Sequence, residues 1–339
     1  MRPFLLPIVG PRIVKTAIAT FLTAAICIAL ELPPAFAVIT AVVTIEPTAG
    51  DSIKKGIVRL PAAAIGALFA IGFFALFEET AWTYALSAAF TIALCYKLRL
   101  HAGILVATLT AVVMIPTLDH HYIEEFFSRM STTTIGLLLS TAVNFFILPP
   151  HYEQKVEKEA NNRLIQLSNI TRDVFGWLCE SRPIQRRDLV NQVSSLVQQI
   201  DQSEEYGRFQ TVEWTYHKQK KEHELHLTIH MERLAMARQV VYRFSHLLSL
   251  DREKVRLSPE EKVALIRYAS NLSTLLQEEA FQKVNDIQAT SNWFWQQIDP
   301  IQDKRNERSC FVYELYAITQ LVEQLQLDLQ MNCADPSEV

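Results

Sequence analysis

The stretch that decides the fold is "TAVVTIEPTAGDSIKKGIVRLPAAAIGALFA", residues 40–70, which returns in related form as "TAVVMIPTLDHHYIEEFFSRMSTTTIGLLLS", residues 110–140. Aligned without a gap, the two stretches are identical at 10 of 31 positions. Apolar composition alone does not explain two of these matches, Arg59 with Arg129 and Gly66 with Gly136. The sequence therefore predicts an internal repeat with an offset of 70 residues.

Six apolar segments fill the first 150 residues. They lie at approximately 13–30, 34–45, 57–77, 82–96, 103–115 and 130–148. Crossing a bilayer core takes roughly 20 apolar residues of helix, which the first, third and sixth segments provide. The other three are short, and could tilt less, extend through weakly polar flanks or be partly re-entrant. Lys and Arg adjoin every second connection, as the positive-inside rule requires of six spans with both termini in the cytoplasm. We therefore predict a six-span membrane domain over residues 1–150.

The charges in the repeated stretches indicate how the two halves are oriented. Each repeat unit holds three spans, so the second unit enters the membrane upside down relative to the first. Lys54 and Lys55 then lie in a cytoplasmic loop, and their counterparts Glu124 and Glu125 lie in an external one. Such a 3+3 inverted repeat is typical of secondary transporters, whose substrate paths lie between the repeats.

Residues 151–339 have a different character. They hold 23 Lys and Arg and 28 Asp and Glu, whereas residues 1–150 hold nine and eight. Apolar residues recur every three or four positions, which is typical of amphipathic helices packed on one another. Ser258 followed by Glu261 forms a capping-box signature for a helix start. We predict a cytosolic helical domain of about five helices, and an all-α protein overall.

The candidate substrate-path residues are cationic or polar groups at the ends of the predicted spans. Arg59 stands about one turn inside segment three and Arg129 about one turn inside segment six. Guanidinium groups bind carboxylates in a bidentate manner, so these two could draw organic anions to the mouths of a path, or could instead anchor the helices at the interface. The remaining candidates are Lys15, Thr48, Lys54, Lys55 and Asn144.

Two helix faces carry small residues at every third or fourth position. In segment three this face holds Ala62, Gly66 and Ala70. In segment six it holds Thr132, Gly136 and Ser140. Small residues let helix backbones approach closely, and small or hydroxyl residues can equally line a narrow polar path. We favour close packing, and the two interpretations are compatible.

Several function classes are disfavoured. No basic stripe interleaved with aromatic residues suggests nucleic-acid binding. No phosphate-binding loop and no nucleophile motif occurs, so we predict neither an ATP-driven pump nor an enzyme, and no cofactor. His223, His226 and His230 share one helix face, but we interpret them as ordinary packed histidines and predict no metal. Similarly, "DHHYIEE" (119–125) is predicted to be a solvated external loop.

The stretch "LPPAFAVITAVVTIEPTAGDSIKKGIVRLPAAAIGALFA" resembles the aromatic acid exporter family, part of the fusaric-acid-resistance superfamily. That family shows an extended pattern between its second and third spans, which here reads Pro47, Thr48, Ser52, Lys54, Lys55, Arg59, Ile65 and Gly66. The resemblance covers the first 150 residues, and the remainder is similar to the helical cytoplasmic domain of a branch common in Gram-positive bacteria. It implies export of aromatic carboxylic acids across the plasma membrane. Distant plant relatives are dimeric malate channels, which implies a homodimer here.

We therefore predict an inner-membrane exporter of aromatic or other organic carboxylate anions. Arg59 would attract the carboxylate, and residues 45–56 would form the cytoplasmic entrance. The first alternative is a non-transporting scaffold or sensor that acts through its cytosolic domain. The second is a passive anion channel, which shares every feature except energy coupling.

Overall fold

A computed structural model describes residues 10–119, 121–147, 152–216, 221–277, 284–296 and 306–334. The regular structure in these ranges is entirely helical, as predicted. The chain divides into two compact units. The first comprises Met1–Pro150 with Phe209–Lys218, and the second comprises His151–Arg208 with Gln219–Val339. Division of the chain at residue 150 alone misses the return of residues 209–218 to the first unit.

Each of the six apolar segments overlaps one helix of the first unit, but the third and sixth helices begin eight residues before their apolar runs, so 54–55 and 124–125 are helical and not in loops. The helices are α1 (Pro11–Ala29), α2 (Pro34–Thr44), α3 (Ala49–Phe77), α4 (Ala81–Lys97), α5 (Ile104–Met114) and α6 (Tyr122–Phe146). Short 3₁₀ turns, His101–Gly103 and Ile115–Thr117, flank α5. Two of these helices, α1 and α3, are long and apolar enough to cross a bilayer, whereas α2 and the stretch around α5 are apolar but shorter. The six-span domain therefore stays a prediction.

Local chemistry explains where the helices of this unit begin. Proline stands in the first turn of α1 and of α2, where its missing N–H costs nothing and its fixed φ suits the helix. The Thr48 side chain caps α3 by accepting a hydrogen bond from the Asp51 backbone N–H at 3.0 Å. Thr80 caps α4 in the same manner, at 3.4 Å from the Thr83 N–H. The Thr48 cap fixes the start of α3 directly after the connection of residues 45–48.

Glycine makes two close helix crossings possible. A Cβ added to Gly66 of α3 would lie 2.1 Å from the Ala107 carbonyl oxygen of α5. A Cβ added to Gly136 of α6 would lie 2.5 Å from the Ala37 carbonyl oxygen of α2. Neither position has room for any side chain, because real Cβ atoms do not approach backbone so closely. Helix α3 therefore packs tightly on α5, and α6 packs tightly on α2.

The other small residues lie along the same crossings. Ala62 and Ala70 of α3 are fully buried, as is Ser140 of α6. The Ser140 hydroxyl lies 2.5 Å from the Thr44 hydroxyl of α2, so a hydrogen bond joins the two helices there. Thr132 is buried one turn before Gly136. Ala62, Ala70 and Ser140 are thus used in packing within the unit, whereas Thr132 also borders a cavity.

The second unit is built from amphipathic helices. They are α7 (Glu153–Leu178), α8 (Arg186–Trp214), α9 (Lys221–Ser249), the single turn α10 (Arg252–Val255), α11 (Pro259–Leu275), α12 (Val284–Gln296) and α13 (Glu307–Ala334). The expected count of about five is thus exceeded, since six long helices and one turn lie in the described residues. The capping box of Ser258 and Glu261 at the start of α11 is confirmed. Phe175 packs against Phe244 and Tyr268 in the core.

We expect Gly66→Ala and Gly136→Ala to destabilise the first unit, because each new methyl group would force backbones apart. Overpacking of this kind costs about 1–3 kcal/mol. Gly72→Ala is the matched control on α3, since a Cβ there meets nothing within 4 Å. The measurement is the thermal unfolding midpoint in detergent. Equal midpoints for Gly66→Ala and Gly72→Ala would contradict the close crossing.

Candidate functional site

A partly buried ion-pair network lies at the start of α3. Its centre is Glu46, in the connection between α2 and α3. One carboxylate oxygen of Glu46 accepts a hydrogen bond from Lys55 Nζ at 2.8 Å, and the other accepts one from Arg59 Nη2. Lys55 and Arg59 are four residues apart and therefore share one face of α3. We call the set Lys15, Glu46, Lys55, Arg59 and Asn144 the Glu46 cluster.

Arg59 is fully engaged within the Glu46 cluster. Its side chain is only 8% exposed, so it does not extend to the surface as an interfacial anchor would. Besides the Glu46 carboxylate, it donates hydrogen bonds to the Ala102 carbonyl at 3.3 Å and the Thr44 carbonyl at 3.5 Å. In this arrangement the guanidinium charge is compensated by a carboxylate of the chain itself, so it is not presented to a ligand.

The environment of Glu46 keeps its carboxyl group ionised. Burial raises its pKa, but the hydrogen bonds and positive charges of Lys55 and Arg59 outweigh burial, and the pKa lies below its ordinary value. A carboxyl whose folded-state pKa is lowered adds stability above its unfolded-state pKa. That contribution is lost as the pH falls through the lowered value. The cluster is thus at full strength at neutral pH.

Lys15 and Asn144 join two more helices to the cluster. Lys15 of α1 is 5% exposed and donates a hydrogen bond from Nζ to Asn144 Oδ1 at 2.8 Å. Asn144 Nδ2 lies 3.0 Å from the carbonyl oxygens of Glu46 and Thr48 and 2.7 Å from Ser52 Oγ. Asn144 therefore links α1 and α6 to the start of α3. Its position is that of a buried structural crosslink.

A carboxylate from far along the chain lies beside this cluster. The last turns of α8 belong to the first unit, and Glu213 among them is 2% exposed. Glu213 Oε2 accepts a hydrogen bond from the Ala49 backbone N–H, the first of α3, at 2.9 Å. Its charge also acts electrostatically on Lys15. The positive end of the α3 dipole and the buried Lys15 ammonium together favour an anion, and Glu213 supplies it.

The packing around Glu213 is tight. A Cβ added to Gly50 would lie 2.7 Å from Tyr216 Cε2 and 2.8 Å from Val212 Cγ1. The glycine therefore lets the end of α8 lie directly on the first turn of α3.

Arg129 lies in a second polar site, formed by α2, α5 and α6. It is 5% exposed, and its guanidinium lies 3.9 Å from the centre of the Phe36 ring in a cation–π contact. Nη2 donates a hydrogen bond to Thr110 Oγ1 at 2.9 Å. Among the described residues, Nε and Nη1 of Arg129 have no hydrogen-bond partner, although both are buried. These two nitrogens of the buried guanidinium can therefore donate hydrogen bonds to a further group.

A cavity of about 140 Å³ adjoins Arg129. We call it the Arg129 pocket, and it is lined by Pro33, Phe36, Met114, Thr117, Glu125, Ser128, Arg129 and Thr132. Glu125 stands one turn before Arg129, and its Oε1 accepts a hydrogen bond from the Asp119 backbone N–H at 2.7 Å. The pocket combines one cation and one carboxylate with three apolar side chains and three side chains that carry a hydroxyl group.

The structure therefore divides the predicted path residues into two groups. It brings Lys15, Lys55, Arg59 and Asn144 together in one cluster and places Arg129 in a separate pocket. Thr48 is the last residue before α3 and caps the start of that helix. Lys54 is exposed and takes no part in the Glu46 cluster. The predicted external loop (119–125) is wrong in part, because residues 122–125 form the first turn of α6 and Glu125 lines the Arg129 pocket. His120 lies outside the described residues.

Sequence reasoning missed Glu46, Phe36 and Glu213. Glu46 directly follows segment two, and Lys55 follows it by nine residues and Arg59 by thirteen. That proximity is a weak signal of an ion pair across a tight connection. No local pattern marks Phe36 or Glu213, because their roles arise from contacts between distant parts of the chain.

We expect Glu46→Gln to destabilise the protein by about 3–5 kcal/mol, because it leaves the buried Arg59 without a counter-charge. The double variant Glu46→Gln with Arg59→Met should recover much of that loss, since it removes both charges. The measurement is a double-mutant cycle on the unfolding midpoint in detergent. Additive effects of the two single substitutions would contradict the pairing.

The comparisons with known proteins agree with the resemblance in the first half. Residues 8–147 match the family model described as aromatic acid exporter family member 1. A UPF0421 protein of Bacillus cereus is 35% identical over 349 aligned residues, which cover 96% of this chain and 97% of the relative.

Similar relatives occur in other bacteria. A UPF0421 protein of Oceanobacillus iheyensis is 35% identical, with 93% of this chain and 94% of the relative covered. One of Staphylococcus saprophyticus is 36% identical, with 93% and 96% covered. Similarity of this extent spans both units, so the resemblance is not confined to the apolar half. Through residues 8–147 the chain belongs to the aromatic acid exporter family, and over both units it is a relative of the UPF0421 proteins of these bacteria.

Proposed function

We propose that this membrane protein exports small organic carboxylate anions, aromatic ones among them. The observation that carries the proposal is the Arg129 pocket. A buried guanidinium with two unsatisfied nitrogens faces a cavity and stacks on the Phe36 ring. Leaving a buried charge without full hydrogen bonding is costly, so a group that supplies acceptors there is favoured. A carboxylate supplies two acceptors in the planar geometry that a guanidinium matches.

The size of the pocket favours a small ring. Its volume is about 140 Å³. An apolar cavity of about 150 Å³ in another protein accepts one benzene molecule. The Phe36 ring offers a flat wall for an aromatic ligand, and aromatic pairs add about 0.5–1.5 kcal/mol beyond area burial. Thr117, Ser128 and Thr132 also line the cavity. The hydroxyl groups of Thr117 and Thr132 donate to backbone carbonyls, so they can serve a hydroxylated ring as acceptors.

The proposal includes a six-span domain with a 3+3 inverted repeat. It is supported by two contacts that exchange under the offset of 70 residues. Gly66 lies against Ala107, and Gly136 lies against Ala37. The two glycines are repeat partners, and so are the two alanines, so the offset converts one contact into the other. Helices α3 and α6, one from each half, also pack against each other. Paths between such repeats are a recurrent feature of secondary transporters.

In this proposal the protein lies in the bacterial plasma membrane with both termini in the cytoplasm. The Glu46 cluster then lies at the cytoplasmic side and the Arg129 pocket at the external side. Anions would leave the cytoplasm past Lys15 and the start of α3 and reach Arg129 before release. The homodimer implied by the resemblance is retained as part of the proposal. The buried faces around Gly66 and Gly136 are already used by α5 and α2, so a second copy would use other surfaces.

We expect Arg129→Gln to lower transport of a hydroxybenzoate by at least about tenfold, because it removes a charge-assisted hydrogen bond to the carboxylate. The measurement is release of radiolabelled hydroxybenzoate from liposomes that contain the purified protein, with and without a pH gradient. Arg99→Gln is the matched control, since Arg99 is exposed in a connection.

Three outcomes of this experiment are informative. Release that depends on Arg129 and on the gradient supports an exporter. Release that depends on Arg129 but not on the gradient identifies a passive channel. No release of any aromatic or aliphatic acid from vesicles with folded protein would reject transport and favour the scaffold or sensor alternative.

We expect Phe36→Leu to reduce the preference for aromatic over aliphatic carboxylates, because it removes the ring that faces the pocket. The measurement is the ratio of hydroxybenzoate to short aliphatic acid transport in the same liposomes. Loss of transport for both classes in equal proportion would instead assign Phe36 to support of Arg129 alone.

A further inference from the structure

Five side chains with metal-binding donors meet in the second unit, apart from the sites described above. Helix α9 contributes His223, His226 and His230, which share one face. Helix α7 contributes Glu153 and Glu157, one turn apart at its start. The two helices pack along each other, so the imidazoles and the carboxylates face across one helix–helix contact. The histidine spacing alone did not reveal this site, because the carboxylates come from a helix about 70 residues earlier.

The distances bring three of these groups to one point. The ligand atoms of Glu157, His226 and His230 all lie within 4.8 Å of one another. The His226 and His230 rings are 4.6 Å apart and nearly perpendicular, so their nitrogens converge from two directions. Ligand atoms around a tetrahedral zinc ion at about 2.0–2.2 Å are roughly 3.4 Å apart, so small side-chain rotations would complete the site.

Glu153 and His223 extend the cluster. His223 Nδ1 lies 3.0 Å from both carboxylate oxygens of Glu153. His226 Nδ1 lies 3.5 Å from Glu153 Oε1. Glu153 can therefore serve as a fourth ligand, with His223 as the outer partner that orients its carboxylate. Outer partners of this kind are a regular feature of metal sites in proteins.

The surroundings are compatible with a bound cation. Arg233 is the nearest cationic residue after His230 on α9, and its Nη1 donates a hydrogen bond to Asn161 Oδ1 at 3.0 Å. That contact directs it toward the next turn of α7, beyond Glu157. His230 is 5% exposed, whereas His226 is about half exposed. An ion could therefore enter from solvent beside His226 and be held against the buried imidazole of His230.

We propose that Glu157, His226 and His230, with Glu153 as the fourth ligand, form a site for a divalent transition metal ion of the zinc class. Two imidazoles and carboxylate oxygens are a ligand set that zinc accepts. Bundles commonly build such sites from Glu and His on facing helices. The ion would clip the start of α7 to α9, so its role is structural. This proposal does not depend on the transport function.

The test uses the purified full chain in detergent, with any affinity tag removed and metal stripped by a chelator. We expect one equivalent of Zn²⁺ to bind in calorimetry, and Co²⁺ to give the visible absorption of a tetrahedral site. Saturating Zn²⁺ should raise the unfolding midpoint, since binding to the folded state alone stabilises it. The double variant His226→Ala with His230→Ala should weaken binding by more than the roughly 10–100-fold cost of losing an outer partner.

The control is His246→Ala, on the same helix, whose imidazole lies 3.1 Å from Glu314 and away from the cluster. This variant should bind Zn²⁺ like the parent protein. Glu157→Gln, which keeps the shape of the side chain, provides a second ligand variant if the double variant unfolds. Absence of saturable Zn²⁺ or Co²⁺ binding by the parent protein would overturn the proposal, as would unchanged binding in both ligand variants.

Discussion

The first unit is organised by the need to find partners for cations buried among apolar helices. Lys15, Arg59 and Arg129 are all buried. A buried charge without compensation costs several kcal/mol, so each of these residues restricts how its helix can be placed. Arg59 is neutralised by Glu46, and Lys15 is held by Asn144 with Glu213 nearby. Within the described ranges, the Arg129 guanidinium has contacts with an aromatic ring and one hydroxyl group, and neither is an ion pair.

This difference separates the two ends of the bundle chemically. The Glu46 cluster is closed, because each charged group has a partner of opposite charge or a good hydrogen bond. The Arg129 pocket is open, because the protein supplies only part of what the guanidinium requires. The two arginines are counterparts in the repeat, yet Glu46 aligns with Pro116, so only one half contains the counter-charge. Two arginines that align at an offset of 70 residues thus lie in sites of different composition.

Much of the architecture could be predicted from local pattern. Apolar runs of known length gave six helices, and the Ser258–Glu261 signature marked the start of α11. The partner of Arg59 could not be predicted, because it depends on how the connection after α2 turns. The contact of Glu213 with the start of α3 could not be predicted either, because 164 residues separate Glu213 from Ala49. Likewise, the spacing of the histidines on α9 does not indicate that carboxylates of α7 face them.

The position of Glu213 determines how this protein can be divided. A fragment that ends at Pro150 retains all six helices of the bundle, but the Ala49 N–H loses its carboxylate and Gly50 loses the side chains of Val212 and Tyr216. Lys15 would lose the negative charge that acts on it. The first unit is therefore one body in space that is formed by two separate segments of the sequence. Exchange of the second half between relatives would have to carry the end of α8 with the membrane half to keep the start of α3 intact.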